Sequence, residues 1–225
     1  MGIAIAIDGP AGAGKSSVAK LVAKALGYIY IDTGAMYRAV TLGCMREGFD
    51  PSIEIEKTAA LLPSLKVELT PDDRVFLNGE DVSSAIRTEE VSRLTSPTSA
   101  IPEVRTYLIQ KQREMAESAD IVMDGRDIGS NVLPDAQVKI FMTASPEVRA
   151  KRRYLENLMA GISVPLPQIL EDIKARDYND SHRALNPLVV AEDAVYLDTS
   201  DMSIDRNVEA ILDIIREKTG VIPSV

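Results

Sequence analysis

The sequence predicts an α/β three-layer sandwich: a five-stranded parallel sheet covered by helices on both faces, with a small antiparallel β insertion. Three observations carry that prediction. Short apolar runs alternate with segments of helical periodicity, which implies parallel strands joined by crossover helices. A glycine-rich turn joins the first apolar run to the first helical segment. Residues 63–86 instead alternate apolar and polar side chains around turn signals. The chain of 225 residues, 45% hydrophobic and 26% charged, suffices for one large core. Such a composition excludes a disordered tail, a fibrous repeat and a disulfide mini-protein.

Ile3 to Asp8 is an apolar run stopped by Gly9-Pro10, as expected of a strand buried on both faces. Val18, Leu21, Val22, Ala25 and Leu26 then recur at helical spacing until Gly27. Tyr28 to Asp32 reads as a second strand and about Gly34 to Glu47 as a second helix. The alternation resumes with strands at Ile121 to Asp124, Val138 to Met142 and Ala194 to Asp198. Between them, Leu65, Val67 and Leu69, the turn Pro71-Asp72-Asp73, then Val75 and Leu77 before Asn78-Gly79 describe the antiparallel insertion. Glu103 to Ala116 reads as the helix that returns the chain to the sheet. A last helix starts at Ser203, carries Val208, Ile211, Leu212 and Ile215 on one face and closes at Gly220.

With 25 Lys and Arg against 34 Asp and Glu, the formal net charge is −9, the wrong sign for a nucleic-acid or membrane-surface binder. An anionic ligand must then be held by locally gathered cations. The one cysteine, Cys44, sits in an apolar helical pattern and is expected to be buried in a reducing compartment. No stretch approaches the roughly 18 apolar residues of a membrane span. The first residues lack the basic start and cleavage site of a signal peptide, so the expected location is the cytoplasm. Nothing in the pattern calls for a homo-oligomer, and a monomer is expected.

Gly9-Pro10-Ala11-Gly12-Ala13-Gly14-Lys15-Ser16 is an intact G-x-x-x-x-G-K-[ST] phosphate-binding loop. It follows a buried strand and opens an amphipathic helix, so backbone N–H groups and a helix N-terminus converge on an anion. Lys15 is expected to reach the β- and γ-phosphates of a nucleotide, Ser16 to coordinate Mg²⁺, and Ser17 to add a hydroxyl near the α-phosphate. Two further runs, Asp32-Thr33-Gly34-Ala35-Met36-Tyr37-Arg38 and Asp124-Gly125-Arg126-Asp127, follow neighbouring strands at the carboxyl edge, where ligands of open α/β sheets bind. Arg149, Lys151, Arg152 and Arg153 share one helix, and Arg176 to Arg183 packs two Arg and two Asp into eight residues. In an acidic chain, clustered guanidinium groups point to bidentate phosphate contacts. Met159 to Pro167, bracketing Gly161 and Pro165, reads as a mobile flap, and the one histidine, His182, as a polar loop residue.

Together with Asn78-Gly79-Glu80-Asp81-Val82 and Asp124-Gly125-Arg126-Asp127-Ile128-Gly129, these motifs resemble those of the bacterial cytidylate kinases, P-loop nucleoside monophosphate kinases, over almost the whole chain. The resemblance implies a P-loop NTPase core at about 1–50, 116–154 and 172–225, a monophosphate-binding insertion at about 51–115 and a short lid at about 155–171. It implies transfer of the γ-phosphoryl group of ATP to CMP or dCMP. Arg38 and Arg126 would contact the monophosphate, Arg153 the transferring phosphate, and Arg149 would stack on adenine. Ser96, Arg105, Asp127 and Arg183 would meet the base, and Arg176 with Asp180 the sugar; Thr33 and Tyr37 complete the acceptor site. Two other readings stay open: a P-loop kinase for UMP or another small acceptor, and an NTP-binding switch. The second lacks an Asn-Lys-x-Asp guanine-reading string.

Overall fold

The computed structural model describes residues 2–117, 119–159 and 161–222. Its central sheet is parallel, built from β1 (Ala4–Asp8), β2 (Ile29–Asp32), β6 (Ile121–Gly125), β7 (Val138–Thr143) and β8 (Val195–Asp198) in the order β2-β6-β1-β7-β8. β1 is central because its side chains are apolar on both faces. Ile5 and Ile7 enter one core with Val122, Val138 and Ile140, whereas Ala6 enters another with Ile31, Ile121 and Met123. The first core is closed by α1 (Lys15–Leu26) and α8 (Ile204–Thr219), whose Ile211 and Ile215 are buried in it. The expected five strands and their parallel pairing are all present.

The second core is closed by α2 (Thr33–Arg46). This helix starts at Thr33 because the Asp32 carboxylate accepts from the Ala35 N–H at 2.8 Å, capping it. Residues of the insertion complete that core: α3 (Ile55–Leu61), the strands β3 (Val67–Leu69), β4 (Val75–Leu77) and β5 (Glu80–Asp81), α4 (Glu89–Thr98) and α5 (Pro102–Glu117). The three strands form an antiparallel sheet in which Val67 faces Leu77, and Asn78 and Gly79 turn at positive φ as their hairpin signal requires. Leu65, Val67, Val75 and Leu77 bury their side chains with Met36, Ala39 and Val40 of α2. The approach is close: a methyl group on Gly43 would stand 2.9 Å from Leu65. Cys44 is buried here, as expected.

Between β7 and β8 run α6 (Pro146–Met159) and α7 (Leu166–His182), packed through Ala150, Ile169 and Ile173. The expectation of a loop at His182 is corrected: the residue ends α7, and its ring stacks on Tyr178 one turn earlier at 4.0 Å. Of the expected flap, Met159 is the last residue of α6, Ala160 lies outside the described residues, and Leu166 and Pro167 already belong to α7.

Candidate active site

The phosphate-binding loop leaves β1 over β7. A methyl group on Gly9 would lie 1.9 Å from the Met142 carbonyl oxygen, and φ there is 145°, so only glycine fits. Gly14 is the N-cap of α1 and offers no side-chain acceptor, leaving the first-turn N–H groups facing the cleft. Lys15 is 5% exposed and donates to the Pro10 carbonyl at 2.8 Å. Burial, then the Arg126 charge, pushes its ammonium from the usual lysine range down to about 7. An anion bound beside it would reverse that shift.

The Ser16 hydroxyl donates to Asp124 Oδ2 and the Tyr30 hydroxyl to Oδ1, both at 2.8 Å. Asp124 ends β6, the strand beside β1, which brings its carboxylate to the mouth of the loop. Burial, then the neighbouring Asp32, raises its pKa to about 6. The Asp8 carboxylate, raised to about 6 chiefly by burial, accepts from the Ile128 and Gly129 N–H groups at 2.8 and 2.7 Å and so holds the turn carrying Arg126 and Asp127.

Loop amides can face inward only if their carbonyls are satisfied outside, and α6 supplies the donors. Arg149 Nη1 donates to the Ala11 carbonyl at 2.9 Å, and Arg152 donates to those of Ala13 and Thr199 at 3.4 and 2.7 Å. Arg149, expected to stack on adenine, is not among the residues that line the cleft. Its side chain is 3% exposed, binds the Asp177 carboxylate and the Ala144 carbonyl, and lies behind the loop. Arg152, Met202, Ser203 and Asn207 line the cleft.

One cleft of about 720 Å³ joins the loop to the second set of residues. Ala11 to Ser17 form one wall. Thr33, Tyr37, Arg38, Ser96, Arg105, Arg126, Asp127, Arg153, Arg176, Asp180 and Arg183 all line it, whereas Gly9 and Pro10, the first residues of the loop, do not. Arg126 Nε donates to Asp180 Oδ2 at 2.8 Å. Burial pushes the Asp180 carboxyl up, but Arg126, Arg176 and Arg183 outweigh it and hold it below the usual range. Arg38 reaches Asp32 at 3.2 Å, yet its Nε and that of Arg176 are buried without an acceptor. Burial, then Arg126, lowers the Arg176 guanidinium to about 10. Buried guanidinium donors crowded this closely are a site for an anion.

Deeper in, Asp127 is gripped by Arg105 at 2.5 Å, Arg183 at 3.0 Å and Asn131 at 3.1 Å. Tyr37 lies 5.8 Å from the Arg105 guanidinium, and its hydroxyl is raised to about 12 by burial. Thr33 Oγ1 donates to the Asp124 carbonyl at 2.7 Å. Arg153 stands on the rim, with Glu156 as its partner at 3.5 Å.

Sequence reasoning did not assign Asp124, Arg152 or Gln112, which also line this cleft. The position of Asp124 at the end of an apolar strand was a usable signal. Gln112 stands seven residues beyond Arg105 in α5, a helical spacing that could have found it; Arg152 offered no signal, because only tertiary packing decides which turns of α6 face inward.

A phosphate loop on a parallel sheet, a carboxylate bound to the loop serine, and arginines across one cleft define a P-loop kinase. The family model described as cytidylate kinase matches residues 5–217. The chain belongs to the cytidylate kinase family. It is 54% identical to the cytidylate kinase of Lactiplantibacillus plantarum over 217 residues, covering 95% of each chain. It is 49% identical to that of Bacillus subtilis over 220 residues, covering 96% of this chain and 98% of the relative. Among solved structures, a gluconokinase from Sinorhizobium meliloti shares the fold, with a TM-score of 0.50 and 17% identity over 97% of this chain and 94% of that one.

Proposed function

We propose that this chain transfers the γ-phosphoryl group of ATP to CMP or dCMP, yielding ADP and the pyrimidine diphosphate, a step of pyrimidine nucleotide metabolism. The observation that carries the reading is the single cleft in which Lys15 and the loop amides face Arg38, Arg126 and Arg176. The acceptor is a phosphate oxygen already ionised near neutral pH, so no general base is needed. Catalysis then consists of alignment, exclusion of water and neutralisation of charge on the transferring group. Lys15 and Arg126, neighbouring cations of the one cleft, supply that charge, and Arg153 adds to it when it swings inward from the rim.

Mg²⁺ fits the residues present. Ser16 and Asp124 bring two hard oxygen donors together at 2.8 Å. That suits an ion held by one or two protein groups and by substrate phosphates, where it neutralises phosphate charge. ATP and CMP are the expected partners; nucleic acid and membrane are not, and no described helix is long and apolar enough to cross a membrane. Both substrates are cytoplasmic nucleotides, which supports a cytoplasmic location, and the reading needs one copy of the chain.

A coupled assay with ATP and Mg²⁺ across CMP, dCMP, UMP, AMP and shikimate tests the assignment. CMP and dCMP should be turned over fastest; UMP turned over well above CMP would overturn it.

A further inference from the structure

Gln112 lies on the buried face of α5, two turns beyond Arg105, and is 1% exposed. Its Nε2 is a buried donor that meets no acceptor in the protein, although the residue lines the same cleft as Ser96, Arg105 and Asp127. An amide donor left unmade at a buried position destabilises a fold, and Leu or Met would fill the same space without that cost. The adjoining Arg105 has its Nη atoms committed to Asp127 and the Ser99 carbonyl, but its Nε is likewise buried and without an acceptor. One helix face thus carries two buried, unsatisfied donors on residues that line the cleft.

We propose that Gln112 is a further acceptor-site residue whose amide N–H donates to the pyrimidine ring of the monophosphate, an inference resting on the proposed function. Cytosine carries two adjacent acceptors, ring N3 and the 2-carbonyl oxygen, which matches two donors. The Asp127 oxygens, locked by Arg105 and Arg183, are left for the exocyclic amine. A primary amide can also rotate to present Oε1, so Gln112 can accept from the N3–H of uracil. Gln112 therefore supplies affinity for the pyrimidine edge, and selection between cytosine and uracil falls to Asp127.

The test uses the full-length Gln112→Leu variant beside the wild type. KM for CMP should rise about tenfold or more, as for a lost hydrogen bond whose partner stays buried. KM for ATP should stay within about twofold, and the CMP to UMP ratio of kcat/KM should change less than about threefold. The melting temperature without substrates should be unchanged or higher, since an unpaired polar group is removed, while the stabilisation produced by added CMP should shrink. Gln112→Met, of similar length, keeps the test decisive should the Leu variant not fold. An unchanged KM for CMP, or equal rises in KM for both substrates, would overturn the proposal. Absence of CMP turnover by the wild type would instead refute the proposed function, so the two failures are distinct.

Discussion

The Arg149 guanidinium and the Asp177 carboxylate meet through two parallel hydrogen bonds of 2.9 and 2.6 Å, and the same guanidinium also holds the Ala11 carbonyl. One buried charge therefore ties the phosphate loop to α7, the helix that carries Arg176 and Asp180. Removing one partner of such a pair strands the other. Asp177→Ala should cost about 3 kcal/mol of stability in urea denaturation and raise KM for ATP, with Asp177→Asn intermediate. A loss below about 0.5 kcal/mol would show that the pair behaves like an exposed surface bridge.

Arg126→Ala should lower kcat by about a hundredfold or more, the usual loss when one preorganised donor to a transition state is removed. Binding of a non-hydrolysable ATP analogue should change by less than about threefold, because Arg126 is held by Asp180 of α7 and not by a residue of the loop. Equal losses in both measurements would place Arg126 on the nucleotide side.

The Asp124 carboxylate holds the Ser16 hydroxyl. Asp124→Asn should raise the Mg²⁺ concentration giving half-maximal activity by about ten- to a hundredfold, as found for groups that orient metal ligands. A Mg²⁺ titration at saturating ATP and CMP reads this directly; an unchanged midpoint would leave Asp124 as a structural partner of Ser16 and Tyr30 only.

Asp8 and Asp124 each titrate at about 6 in the folded chain, against an ordinary value of 3.8. Between those values the folded state binds protons that the unfolded state has released. Their contribution to stability is full below pH 3.8 and is lost as pH rises through 6. Lys15, lowered from 10.5 to about 7, acts oppositely, since its contribution is lost as pH falls through 7, so a window below pH 6 isolates the carboxyls. Without substrates, the melting temperature should rise by about 3 °C or more from pH 6 to pH 4.5. Asp124→Asn should remove about half of that rise, and a flat profile in the wild type would contradict the burial of both groups.

The sheet was legible because each of its strands is apolar on consecutive residues and all but β6, which leads only into the short turn Ile128–Val132, are followed by a full helix. The phosphate loop was legible because its chemistry needs glycines, a lysine and a hydroxyl at fixed spacing. The arginines of α6 were not. Helical spacing puts Arg149 and Arg153 on one side of the helix, but says nothing of what that side meets. Arg149 packs against Gly12, where a methyl group would stand 3.5 Å from its Cβ, whereas Arg153 is left on the rim. Asp127 stood out in the sequence beside Arg126 at a strand end, yet its capture by Arg105 and Arg183 depends on α5 and α7 converging across sequence separations of 22 and 56 residues.

The shared core of α2 and the insertion bears on how acceptor specificity could be exchanged between enzymes of this architecture. Residues 51–115 are contiguous in sequence and look like a cassette. Their apolar side chains, however, interdigitate with Met36, Ala39 and Val40, and Gly43 is tailored to Leu65. A chimera that moved the segment alone would bring half of an interface to a host lacking the other half. The graftable unit runs from Asp32 through α5, which makes the helix bearing Tyr37 and Arg38 the inseparable companion of the segment it precedes.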